Sequence, residues 1–298
     1  MKPLSAFLLL LFTCIFCNAQ SPKDKFITYG LQKDRAATAS AHGEFVQAMA
    51  IYDSAFALIR FMGNDYFDAA LNALKAGSDQ RANDLLIKGT ENGLVVKGMY
   101  DSTMQAFLMS ERSMPYLNMR DYMNARWLAH ADTVLIRKLK AVGGYYIVKE
   151  ESDGTKVLGT DSSVFDRLFD LVKENGYPTP LRVGMAFYHP QRLLLKQLEN
   201  DPDSPELKQV LDYIRTAINR GGLPPDHLAP FQDMIDVTEG KPMTYGALLT
   251  FNRKEISNWY LVDRATLNAN RASVGLGPIE DFAFRTGLDL SKARFAER

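Results

Sequence analysis

Cysteine is almost absent: the 298 residues contain two, Cys14 and Cys17, both near the start. Beyond them no disulfide framework, thiol nucleophile or cysteine metal site can be built. Net charge is missing as well. Thirty-five basic residues balance 35 acidic ones, which argues against a nucleic-acid or anionic-membrane partner. Histidine is scarce, and His42, His130, His189 and His227 show no metal-ligand spacing. Gly240-Lys241 lacks the earlier glycine of a phosphate-binding loop, because position 235 is Ile235, and Pro242 stands where Ser or Thr is required. Gly275-Leu276-Gly277 opens like a dinucleotide fingerprint but continues to Glu280, with no strand expected before it. Zinc-hydrolase and nucleophile-elbow motifs are missing too. No cofactor and no metal are expected.

The one long apolar run, Phe7 to Phe16, is too short to span a bilayer. It follows Lys2 and precedes Cys17-Asn18-Ala19, the pattern of a secretory signal peptide. Cleavage after Ala19 is expected, giving an exported protein with no transmembrane segment once residues 1–19 are removed. Lipidation is the rival reading, but Phe16 is bulky where a site at Cys17 requires a small residue.

Internal similarity is the most informative feature. Gly43, Ala48, Tyr52 and Ala55 recur as Gly77, Ala82, Leu86 and Gly89, each pair 34 residues apart. Glycine at the head lets the chain turn between antiparallel helices, and the small residues let helices approach closely. Helices are expected over about 33–42 and 65–76, with Ala36, Ala39, Ala70 and Ala73 on packed faces. The pattern resembles the tetratricopeptide repeat, a helix-turn-helix unit of that length. The resemblance implies an inner groove lined by the first helix of each unit, here Lys33, Ala37, Phe67 and Leu71, and a protein or peptide partner. The Lys and Asn pattern with which some members clamp a peptide's terminal carboxylate is not evident.

The expected architecture is mainly α: repeat hairpins over 20–142, a β-hairpin connector over 143–160, and a second helical domain over 161–298. The connector is read from Tyr145-Tyr146-Ile147-Val148, Ser152-Asp153-Gly154 and Thr155-Lys156-Val157-Leu158. Beyond it, helices are expected at about 163–175, 182–199, 205–220, 226–237 and 257–273, divided by glycine and proline. Gly176-Tyr177-Pro178-Thr179, Val183-Gly184, Gly240, Tyr245-Gly246, Arg271 and Gly275-Leu276 resemble a family of bacterial domains of unknown function. The chain departs from that family at Tyr177, where the family has Trp, and at Gln197-Leu198, where it has Gln-His.

Three constellations could carry chemistry. His130 and Asp132 are two residues apart, so on a helix they point to different sides, and His130 reads as a partly buried structural histidine. Asp233, Asp236 and Glu239 fall at i, i+3 and i+6, where carboxylates could hold a cation or share a proton. A solvated acidic face is the plainer account. His189, Tyr245 and Arg271 could converge as acid, orienter and anion binder. Against that, Tyr245-Gly246 reads as a turn, Arg271 as the partner of a carboxylate, and His189 as a helix start before Pro190. The leading expectation is an exported, non-enzymatic interaction protein. The alternative is a hydrolase-like enzyme using His189, Asp233, Asp236, Tyr245 or Arg271.

Overall fold

The computed structural model describes residues 20–96, 101–143, 146–150, 156–160, 162–250 and 259–297, so the expected leader at 1–19 lies outside the described residues. The fold is mainly α, as expected. Ser21 caps the first helix, α1 (Pro22–Ala41), by accepting the Asp24 N–H at 3.1 Å, and Pro22 at the first helical position has no N–H to leave unpaired. Then follow α2 (Phe45–Leu58), α3 (Gly63–Lys75) and α4 (Asp79–Glu91). The α1–α2 and α3–α4 hairpins repeat the same turn. Gly43 and Gly77 sit at φ of 81° and 79°, and the next N–H, of Glu44 or Ser78, reaches back to Ala39 or Ala73. This is the hydrogen-bond closure that only a left-handed residue allows cheaply. Ala36, Ala48, Ala55, Ala70, Ala73 and Ala82 are fully buried, so the 34-residue spacing is a spacing of helix contacts.

After α5 (Ser102–Leu108), α6 (Met114–Leu128) packs on α4. Buried Asn83 joins the two: its amide donates to the Arg112 carbonyl at 2.9 Å and its oxygen accepts the Tyr116 N–H at 3.0 Å. The next helix, α7 (Thr133–Gly143), packs mainly on α8 (Ser162–Asn175) and α10 (His189–Asn200). The C-terminal helices thus begin before the boundary expected at 142. Between α7 and α8 the expected hairpin pairs β1 (Tyr146–Glu150) with β2 (Lys156–Thr160) antiparallel. Its turn, Ser152-Asp153-Gly154, lies outside the described residues.

The remaining elements are α9 (Pro180–Val183), α11 (Pro205–Asn219), α12 (Ala229–Thr238), β3 (Tyr260–Leu261), α13 (Arg264–Ser273), α14 (Ile279–Thr286) and β4 (Arg294–Phe295). The helix expected over 182–199 is broken. Gly184 adopts φ of 52°, which ends α9, and a 3-10 segment Gly184–Tyr188 leads into α10. The stretch expected as helix 226–237 opens with a 3-10 turn, Pro225–Leu228, before α12. In the described part of the expected helix 257–273, residues 259–273, the helix is α13, which Asp263 caps by accepting the Ala265 and Thr266 N–H groups. Tyr260–Leu261 pairs instead in parallel with Arg294–Phe295. Helix α14 was not foreseen.

Buried apolar side chains form one cluster running from Phe26 to Phe282. The C-terminal elements cover α1 directly: α14, α13, α11 and the Pro225–Leu228 turn pack on it, and Gly184–Tyr188 packs on α3.

The register is testable in the helical hairpins. Ala48→Glu and Ala82→Glu force a charged side chain into fully buried contacts, and overpacking alone costs about 1–3 kcal/mol. Both should lower the melting midpoint clearly, whereas Gln47→Glu, on the exposed side, should leave it nearly unchanged. Equal, negligible shifts for all three would contradict the register.

Candidate functional site

Helix α1 carries Tyr29, Lys33 and Asp34 along the seam between α3 and the C-terminal elements. Tyr29 donates its hydroxyl to Asp65 of α3 in a short hydrogen bond. Lys33, one turn on, lies among charges: Asp65 first, opposed by burial and reinforced by Asp226, holds its ammonium well above the ordinary lysine value. Asp34 accepts the Gly277 N–H at 2.7 Å and pairs with Arg285 of α14 at 3.1 Å. Burial opposes the charge on Asp34, but Arg285, Lys33 and the Gly277 N–H outweigh it and hold its carboxyl below the usual range.

A cleft of about 320 Å³ opens along this seam, lined by Asp34, Tyr188, Gln191, Asp226, Arg271 and Arg285 among others. Burial pushes the Asp226 carboxyl up; Lys33 opposes that, while Asp34 and Asp65 add to it. His227, beneath the cleft, is 3% exposed and shares a 2.8 Å hydrogen bond with the Tyr177 hydroxyl. The Tyr177, Phe187 and Phe231 rings surround it at 5.4, 5.5 and 6.1 Å. Burial drives its imidazole down to about 3, so it stays neutral.

The residues singled out from the sequence are scattered by comparison. His189 is exposed and begins α10 ahead of Pro190. Asp233 and Asp236 form no solvated acidic face: both are buried, and both are committed to backbone. Asp233 accepts the N–H groups of Tyr245 at 2.7 Å, Leu248 at 3.3 Å and, at short range, Ala247. Burial nevertheless raises its carboxyl to about 6 against those three donors. Asp236 accepts from the Thr244 N–H at 2.8 Å and its hydroxyl at 2.7 Å. Glu239 points away to Lys241. The two aspartates thus fasten the 243–248 loop to α12. Arg271 pairs with no carboxylate among the described residues: its Nε donates to the Gly277 carbonyl at 2.7 Å and its Nη1 to the Tyr245 carbonyl at 2.9 Å. Of the five candidates only Arg271 lines the seam cleft, and the Tyr245 side chain lines a different cavity. The geometry brings together no catalytic set from them.

His130 is exposed rather than partly buried, and Asp132 is occupied in capping α7 at the Leu135 N–H and pairing with Arg182 at 2.8 Å. Of the expected groove, Lys33 belongs to the charged seam, Phe67 is packed against the core, and Ala37 and Leu71 line an open cavity of about 340 Å³. Among the described residues no three metal-ligating side chains cluster.

Neutral His227 predicts a pH dependence. Its folded value lies below its ordinary 6.5, so the stability it contributes is complete above pH 6.5 and is lost as pH falls toward about 3. The loss is about 1.4 kcal/mol per pH unit within that window. The stability gap between the protein and His227→Gln, measured by urea unfolding, should therefore close by about 3 kcal/mol between pH 7 and pH 4. A pH-independent gap would show that the imidazole is not held neutral. Compared with known protein families, curated proteins and solved structures, the chain matches none.

Proposed function

We propose that this chain is an exported interaction protein of the tetratricopeptide-repeat type, which binds a segment of another protein on the open part of its inner face. The observation supporting this is the open cavity of about 340 Å³ between α1 and α3, lined by Ala37, Leu71, Tyr52, Asp68, Asn72 and Lys75. An extended segment laid there finds an apolar floor in Ala37 and Leu71 and charged groups, Asp68 and Lys75, beside it. An internal segment fits better than a chain terminus, because the sequence lacks the carboxylate-clamping pattern.

The test separates binding from folding. Copurification from an envelope extract should identify a partner, and Leu71→Glu and Ala37→Glu, both on the cavity wall, should each abolish its capture while circular dichroism shows the helical fold kept. Leu181→Glu, at a position 64% exposed on α9, is the control. Phe67 is unsuitable, since a charge there would disturb the core. Capture that survives both Leu71→Glu and Ala37→Glu would refute the reading.

A further inference from the structure

The seam cleft has a different chemistry from the open groove, and its two most telling groups are Arg271 and Asp226. Arg271 is 2% exposed, and its guanidinium is fixed by two backbone carbonyls and lies over the Phe282 ring at 5.6 Å. Carbonyl dipoles orient a cation without cancelling its charge. Among the described residues no carboxylate lies within ion-pair distance of it, and burial brings it down to about 10. Arg285, its neighbour in the wall, is already neutralised by Asp34. Asp226 faces the same cavity from the Pro225–Leu228 turn and likewise has no ion pair among the described residues. Lys33 is the counter-charge that acts most strongly on it.

Two charges of opposite sign therefore border one cavity, neither in an ion pair among the described residues, and each stands on a different element. We propose that the seam cleft binds a small zwitterion of amino-acid type, its carboxylate on Arg271 and its ammonium on Asp226. The charge sum favours this class. Arg271 and Arg285 balance Asp34 and Asp226 in the walls, and Lys33 behind them is matched first by Asp65, so a ligand of zero net charge enters without leaving an excess. A simple anion would lie beside two carboxylates, and a simple cation beside two guanidinium groups. A cavity of about 320 Å³ is at the small end for a ligand site, and Tyr188, 40% exposed at the rim, and Phe282 offer apolar surface for a side chain.

Titration calorimetry on the full chain decides it, with L-leucine and L-glutamine as probes. Isovalerate is leucine without its amine, isoamylamine is leucine without its carboxylate, and inorganic phosphate is a plain anion. Saturable binding is expected for at least one amino acid, with each of the other three compounds weaker by about tenfold or more. Asp226→Asn, which preserves size, should weaken amino-acid binding by about tenfold while leaving isovalerate unchanged. Arg271→Lys should abolish both; should it fail to fold by circular dichroism, Asp226→Asn and the probe series decide alone. No saturable binding by either amino acid would overturn the proposal. So would phosphate or isovalerate binding as tightly, which would mark a plain anion site, or binding unaffected by Asp226→Asn.

Discussion

The arrangement depends on how closely α1 approaches the chain near Gly275. A Cβ on Gly30 would collide with the Gly275 carbonyl oxygen, and one on Gly277 would come within 3.0 Å of the Asp34 Cβ. Only because glycines meet there can Asp34 reach both the Gly277 N–H and Arg285. The side chains of that ion pair are 14% and 13% exposed. Removing one partner of such a buried pair typically costs about 3–5 kcal/mol, because the other charge is left uncompensated. That contact closes the C-terminal elements over α1, and the cleft is what remains between them.

This closure changes what the helical hairpins can do. A repeat array with a free inner face could lay a long peptide along all of its first helices. Here α14, α13, α11 and the Pro225–Leu228 turn occupy the α1 end, and only the part around Ala37, Leu71 and Asn72 stays open. The Asp34–Arg285 pair stands between the two cavities, since Arg285 lines both. The protein thus presents a short groove and a separate cleft that share Arg285 as a wall.

The local features were legible in the sequence, and the meeting of distant residues was not. The 34-residue spacing located the hairpins, because Gly43 and Gly77 and the buried alanines interact within a few residues or with the next helix. The β-hairpin and the helices at 162–175 and 205–219 followed from proline and glycine punctuation and capping. Lys33, expected in the groove, belongs to the charged seam. Asp34, Asp226, Gln191 and Arg285 were missed because their proximity is made by contacts across as many as 251 residues, which no periodicity records. The available signal was the pair Gly275 and Gly277, read as a failed nucleotide motif and as part of a family likeness when they serve close backbone approach. Asp233 and Asp236 misled for the opposite reason: helical spacing placed them on one side but could not show that a loop would fold back and use their oxygens.

Helix α1 and the C-terminal elements form one cooperative unit through the Gly30–Gly275 contact. The chain supplies its own reporters, since its two tryptophans differ in place. Trp127 lies against Gly93 and Gly184, and Trp259 adjoins the small C-terminal sheet, where its carbonyl accepts the Arg294 N–H at 3.0 Å. Urea unfolding followed by tryptophan fluorescence and by far-ultraviolet circular dichroism should give one coincident transition for the unaltered protein. In Gly30→Ala the fluorescence transition should move to lower urea and separate from the helical one. If Gly30→Ala unfolds in a single transition at the unaltered midpoint, the contact does not hold the two parts together.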